Sequence, residues 1–209
     1  NLSGEPKANL IDKSKTFNLF TPSLMDKPKL SFTKNTKDKL SLAFGFFSAR
    51  KKSFKNYISF YEYMLEKYPN WNHMIVASAH TGTSNEDSKS LKRILNYENI
   101  SVMEYIPNNL LSELISTCDM GVCFYPQGIL SNNTAPMSFF DQNKTVITQY
   151  GANTPNDFKK FTISYDDYKK FNFNDIKNLT ELGSKAKKYY DNNLSWNKFL
   201  DILNNLISN

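Results

Sequence analysis

The stretch Asp119-Met120-Gly121-Val122-Cys123-Phe124-Tyr125-Pro126-Gln127-Gly128-Ile129-Leu130-Ser131-Asn132-Asn133-Thr134-Ala135-Pro136 holds an uninterrupted apolar run, a loop marked by Pro126 and Gly128, and a polar quartet at the threshold of a helix. A run without a polar break suits a strand covered on both faces, because each side chain meets an apolar layer whichever way it points. Ser131, Asn132, Asn133 and Thr134 carry short side chains able to cap a first helical turn. Pro136 fits near a helix start, where its missing N–H is not needed. The unit is strand, loop, helix.

The same grammar extends in both directions. Runs suited to buried strands lie at 40–47, 73–78, 100–105, 120–125, 145–149 and 161–164. Helical segments fall between them, at about 53–68, 85–97, 108–117 and 134–142, all short enough to be crossover connections. The first places Phe54, Tyr57, Ile58, Tyr61 and Leu65 on one stripe at spacings of three and four, the mark of a face turned to the core. Two more helices close the chain, one at about 174–192. The other opens at Ser195, a good N-cap residue, and carries Trp196, Phe199, Leu200, Leu203 and Ile207 on one face. Strand alternating with helix predicts an α/β fold, a Rossmann-like doubly wound parallel sheet.

Residues 1–38 are polar and Lys-rich with turn signals at Pro22 and Pro28, and read as a linker or the tail of a preceding domain. The Rossmann-like domain occupies 39–193, and 194–209 is a helix free to pack toward that preceding domain. The first residue is Asn rather than Met, as in a piece of a longer chain or a processed one. A chain of 209 residues with 40% hydrophobic and 22% charged side chains builds a real core, which excludes disordered and low-complexity classes. No apolar run reaches the roughly 18 residues of a membrane span, and no targeting segment opens the chain. Two cysteines are too few for a disulfide framework, and the expected compartment is reducing and cytoplasmic. The net charge of +6 favours acidic or phosphate-bearing partners in general.

In an open parallel sheet, ligands bind beyond the carboxyl ends of the strands. After the first strand, Gly45 leads to Arg50, Lys51 and Lys52, three cations just ahead of a helix start. Backbone donors at a helix N-terminus together with Lys and Arg make a phosphate site, although a cationic triplet alone is also what a solvated basic turn looks like. The loop 125–136 offers a second helix N-terminus, with an ordinary capped helix as its plain alternative. The turn 150–155 follows the fifth strand on the same edge. His73 and His80 sit in no metal or triad pattern and read as structural. Asp119 and Asp141 read as solvated caps. Cys118 and Cys123 flank a buried strand and receive no chemistry. Gly-x-Ser-x-Gly and Walker motifs are absent.

In order and spacing, these loops resemble the C-terminal, nucleotide-sugar-binding half of GT-B glycosyltransferases, most like the retaining type known as family four, over residues 40–207. The resemblance places Gly45 at the family's glycine and Lys51 at its phosphate-binding lysine. Phe46 stands where the family has an arginine, with Arg50 and Lys52 nearby to take over. Val102-Met103-Glu104-Tyr105-Ile106-Pro107-Asn108 is similar to the segment that meets the nucleotide base, which implies a base contact at Ile106. The family's two glutamates are replaced by Leu130 and Ser138. A subset instead carries Tyr-Pro-x-Gly and a polar stretch before the helix, as do Tyr125-Pro126-Gln127-Gly128 and Ser131-Asn132-Asn133-Thr134. Ser195-Trp196 is similar to the start of the family's final helix.

The resemblance implies a donor-binding domain that takes a nucleoside diphosphate sugar as substrate and needs no cofactor or metal. Lys51 and Arg50 are then the catalytic cations, and Gly45, Ile106, Ser131, Asn132, Asn133, Thr134 and Ser138 the donor contacts. It further implies transfer of a hexosyl group to a glycan or lipid-linked acceptor in bacterial surface or capsular polysaccharide synthesis. The acceptor would be held by an N-terminal domain outside this chain, leaving the chain alone inactive. Peripheral contact with an acidic membrane is compatible with that reading. The competing class is a non-catalytic Rossmann-like interaction module that has lost the donor site. Nucleic-acid binding is a third option, but the cations are scattered and no recognition motif is present, so nucleic acid is not an expected partner.

Overall fold

The computed structural model describes residues 20–25, 27–28, 38–45, 53–77, 96–103 and 106–207. Its elements run in the predicted alternation: β1 (Lys39–Gly45), α1 (Phe54–Lys67), β2 (Trp71–Ala77), β3 (Ile100–Met103), α2 (Asn108–Thr117), β4 (Met120–Cys123), α3 (Thr134–Asp141), β5 (Thr145–Thr148), β6 (Ile163–Ser164), α4 (Ile176–Asn193) and α5 (Trp196–Ile207). All described strand pairs are parallel, in the order β3-β2-β1-β4-β5-β6. That is the Rossmann order, and it reverses direction between β1 and β4.

The apolar runs work as predicted because successive residues enter opposite layers. Leu42, Phe44, Val76, Cys123, Tyr125 and Val146 belong to one core, which α2, α3 and the second half of α4 close. Ala43, Ile75, Met120, Val122, Phe124 and Ile147 belong to the other, closed by α1. α4 serves both layers, sending Leu179 into the second core and Ala186 and Tyr190 into the first, which Leu194 just past its end also joins.

Several strand ends differ from the sequence prediction, each for a local reason. β4 stops at Cys123 because the Phe124 N–H donates to the Tyr57 phenol oxygen at 3.0 Å, a side chain of α1 standing in for a ladder partner. β5 stops at Thr148, and the Gln149 carbonyl accepts from Ile129 N–H across the loops at 3.0 Å. β6 begins late because the N–H groups of Phe161 and Thr162 are spent on the Phe158 carbonyl in a 3-10 turn. β2 begins early at Trp71, paired with Lys39. Ser195 does precede α5, its carbonyl accepting from Phe199 N–H at 3.0 Å, while its hydroxyl donates back to the Asp191 carbonyl at 3.1 Å. The predicted helix at 85–97 lies outside the described residues save for Asn96 and Tyr97, which form a turn. The strand positions 46–47, 78 and 104–105, and His80, also lie outside them.

His73 has the structural role the sequence implied. Its ring is 1% exposed, bonded through Nδ1 to the Ser41 hydroxyl at 2.7 Å and set edge-on against Tyr61. Burial pulls its pKa down from 6.5 to about 3, so the folded protein holds it neutral. Its stabilising contribution is complete above the unfolded pKa and is lost as pH falls from 6.5 toward 3. Between about pH 7 and pH 5 that loss amounts to about 2 kcal/mol. Urea unfolding at the two pH values should show it, and His73→Asn should remove that share of the pH dependence.

Candidate functional site

The strand order reverses between β1 and β4, the place where an open parallel sheet takes a ligand at its carboxyl edge, and the loops after β4 and β5 lie on that edge. Gly45 ends β1 with φ of +116°, a conformation that favours glycine. The next described residue, Ser53, donates its hydroxyl to Gln149 Oε1 at 2.9 Å, tying the start of α1 to the end of β5. Arg50 and Lys51 lie between Gly45 and Ser53, outside the described residues.

The loop after β4 is locked onto the loop after β5. Gly128 has φ of +84°, and a Cβ there would stand 2.2 Å from the Gly151 nitrogen. A Cβ on Gly151 would stand 1.9 Å from the Gln127 carbonyl oxygen. The two backbones therefore touch where any side chain would block them, and Thr154 Oγ1 completes the turn by accepting from Gly151 N–H at 2.9 Å.

α3 starts immediately beyond. Asn133 occupies its N-cap position, yet no side-chain cap bond is made to the helix. Asn133 Oδ1 instead accepts from Leu130 N–H at 2.7 Å, while Asn133 N–H donates to the Leu130 carbonyl at 3.1 Å. This reciprocal pair shapes the turn, so the Asn133 side chain does not cap α3, at whose start the helix dipole favours an anion. Asn132 and Thr134 are exposed there, and Ser131 and Asn133 partly so.

Two predicted contacts sit differently. Ser138 is 1% exposed and donates to the Thr134 carbonyl at 3.0 Å, so its hydroxyl faces the inside of the helix turn. Ile106 is 5% exposed, main chain included, and is packed in the core beside α2. Asp119 and Asp141 are not simply solvated caps. Asp119 Oδ2 accepts from Leu40 N–H at 2.7 Å and so registers the start of β1, and Asp141 pairs with Lys187 of α4 at 3.1 Å. Both cysteines are buried and outside any disulfide. Among the described residues, no cluster of three or more His, Cys, Asp or Glu could hold a metal ion, and no helix is long and apolar enough to cross a membrane.

No protein-family model and no curated protein matches the chain. Many solved structures do match it in fold. The C-terminal domain of a glycosyl transferase group 1 family protein, LpcC, from Francisella tularensis superposes with a TM-score of 0.59 at 13% identity, over 85% of this chain and 96% of that one. The chain has the fold of a GT-B C-terminal domain. S. aureus TarM, solved as a mutant with fondaparinux, α-GlcNAc-glycerol and UDP, gives 0.66 at 15% identity, over 93% of this chain and 40% of TarM. Sucrose-phosphate synthase from Thermosynechococcus elongatus gives 0.63 at 11%, over 82% and 45%. The present chain thus spans about two fifths of such longer glycosyltransferases.

In this GT-B domain, the sequence marked the loops after β4 and β5 and missed the groups that bind them together. Gln149 was read only as a strand end, and nothing in its neighbourhood marks it as the acceptor for Ser53. Thr154 carried a usable signal, since a threonine three residues after a turn glycine can close that turn on itself.

Proposed function

We propose that the chain is the nucleotide-sugar donor-binding domain of a glycosyltransferase. In this reading it serves transfer of a hexosyl group to a glycan or lipid-linked acceptor in bacterial surface polysaccharide synthesis. The observation that carries the proposal is the reversal of strand order between β1 and β4, with the Gly128–Gly151 contact fixing the loop that leads into α3 on the same edge of the sheet. Likeness of fold to GT-B C-terminal domains supports it.

The chemistry asked of such a site is electrostatic. As the bond between the anomeric carbon and the diphosphate oxygen breaks, negative charge grows on the leaving nucleoside diphosphate. Fixed donors aimed at that charge lower the barrier without a protein nucleophile. Lys51, Arg50 and the N-terminus of α3 are the groups assigned to it, and Ser131, Asn132 and Thr134 the polar contacts around them.

Calorimetric titration with UDP, GDP, dTDP, CMP and ADP tests the reading. UDP comes first, because the TarM structure contains UDP and an Escherichia coli neighbour contains UDP-2-fluoro glucose. Saturable binding of one nucleotide is the expected result, and a folded sample that binds none contradicts it. A hydrogen bond to a charged group contributes about 1.5 to 3 kcal/mol. Lys51→Ala should therefore weaken the bound nucleotide about tenfold or more. Equal affinity in that variant would remove Lys51 from the site.

A further inference from the structure

Residues 20–25 have no regular secondary structure, yet Phe20, Pro22 and Ser23 are buried. Phe20 is 7% exposed, its ring edge-on to Phe199 of α5 at 5.8 Å. Ser23 is 3% exposed, and both of its main-chain groups are claimed by side chains from different helices. Its N–H donates to the Tyr190 phenol oxygen of α4 at 3.0 Å, and its carbonyl accepts from Trp196 Nε1 of α5 at 2.8 Å. Buried backbone polar groups need partners, and a phenol and an indole are here directed at one serine.

What this segment holds is the candidate site. Thr21 N–H donates to the Ser131 carbonyl at 3.2 Å, in the loop that opens α3. The Ser23 hydroxyl reaches Ser138 of α3 at 3.5 Å, the limit of a hydrogen bond. The far end of α3 is fixed separately, by Asp141 against Lys187. The loop before α3, at Ser131, and the helix itself, at Ser138, therefore both contact residues 20–25.

We infer that Ser23, Tyr190 and Trp196 are positioning residues: they hold residues 20–25 as a strap, and the strap sets the place of Ser131 and of the α3 N-terminus toward a bound nucleoside diphosphate. The inference rests on the donor-site reading above, because the strap acts through that loop and touches no ligand.

Tyr190→Phe keeps the ring and deletes one hydrogen bond, and Trp196→Phe deletes the other while leaving a smaller aromatic ring in place. Hydrogen exchange of the whole chain, comparing the peptide 129–137 with the β4 peptide 120–123, separates local loosening from global opening. The expected result is exchange about tenfold faster in 129–137 with 120–123 unchanged, together with UDP affinity lower by about fivefold. Unchanged exchange in 129–137 overturns the strap. Equal acceleration of both peptides overturns it as well, by showing a merely structural role. A loosened loop with unaltered UDP affinity overturns the link to binding. Should the unmodified chain bind no nucleotide, the donor-site reading fails, while the exchange of 129–137 still decides the strap.

Discussion

Replacing Phe60 by alanine lowers the unfolding free energy by about 3 to 5 kcal/mol, a large share of the 5 to 15 kcal/mol that an ordinary domain possesses. The size follows from its surroundings. Phe60 is fully buried on α1, with ring contacts to Tyr61 at 5.5 Å, Tyr168 at 5.6 Å, and Phe124 and Phe173 at 6.0 Å. Those partners come from α1 itself, the end of β4 and the segment between β6 and α4, so a void at Phe60 cannot be filled by shifting one neighbour. Aromatic pairs of this kind contribute about 0.5 to 1.5 kcal/mol beyond the area they bury. Denaturant unfolding measures the loss. Phe60→Leu, which keeps most of the volume, should lose much less. A loss under about 1 kcal/mol for the alanine variant would mean that the cluster does not hold α1 on the sheet.

Phe60 also shows how far sequence alone reaches. The stripe that marked α1 contained Phe54, Tyr57, Ile58, Tyr61 and Leu65, and Tyr57 and Tyr61 are indeed core residues. Phe60 and Met64, both fully buried, lie beside that stripe. Spacing finds the direction of an apolar face but not its width, which the opposing layer sets. The strands were legible for a stronger reason, since runs such as Val122-Cys123-Phe124 can satisfy both faces only inside a two-sided sheet. Their ends were less so, because a strand ends where a partner is lost, as at Phe124, and the partner's place is a tertiary fact. The site divides the same way. Gly45, Gly128 and the polar stretch before α3 are local signals of turns and helix starts, and the structure sets them on one edge. The burial of Ser138 and the strap at Ser23 depend on contacts across more than a hundred residues of sequence, which no local pattern encodes.

Gly128→Ala tests the loop contact on which the site depends, and it should be costly for two separable reasons. The residue sits at φ of +84°, where an L side chain strains its own backbone by about 1 to 2 kcal/mol. Its Cβ would also arrive 2.2 Å from the Gly151 nitrogen and 2.6 Å from Thr154 Oγ1, and overpacking against backbone costs about 1 to 3 kcal/mol more. Together these give a loss of about 3 kcal/mol, measurable by denaturant unfolding. Gly151→Ala provides the control. That glycine does not have a positive φ, so its substitution carries only the steric part, from a Cβ placed 1.9 Å from the Gln127 oxygen. Backbone cannot rotate away as a side-chain tip can, so in both variants the loop between β4 and α3 must part from the turn after β5. The helix N-terminus moves with the loop, and nucleotide binding should therefore fall by about tenfold or more. Phe60→Ala offers the contrast, since it weakens the opposite layer of the sheet and leaves this contact in place. If Gly128→Ala kept full nucleotide affinity, the fixed distance between the two loops would have no part in binding, and the site would have to be sought on another edge.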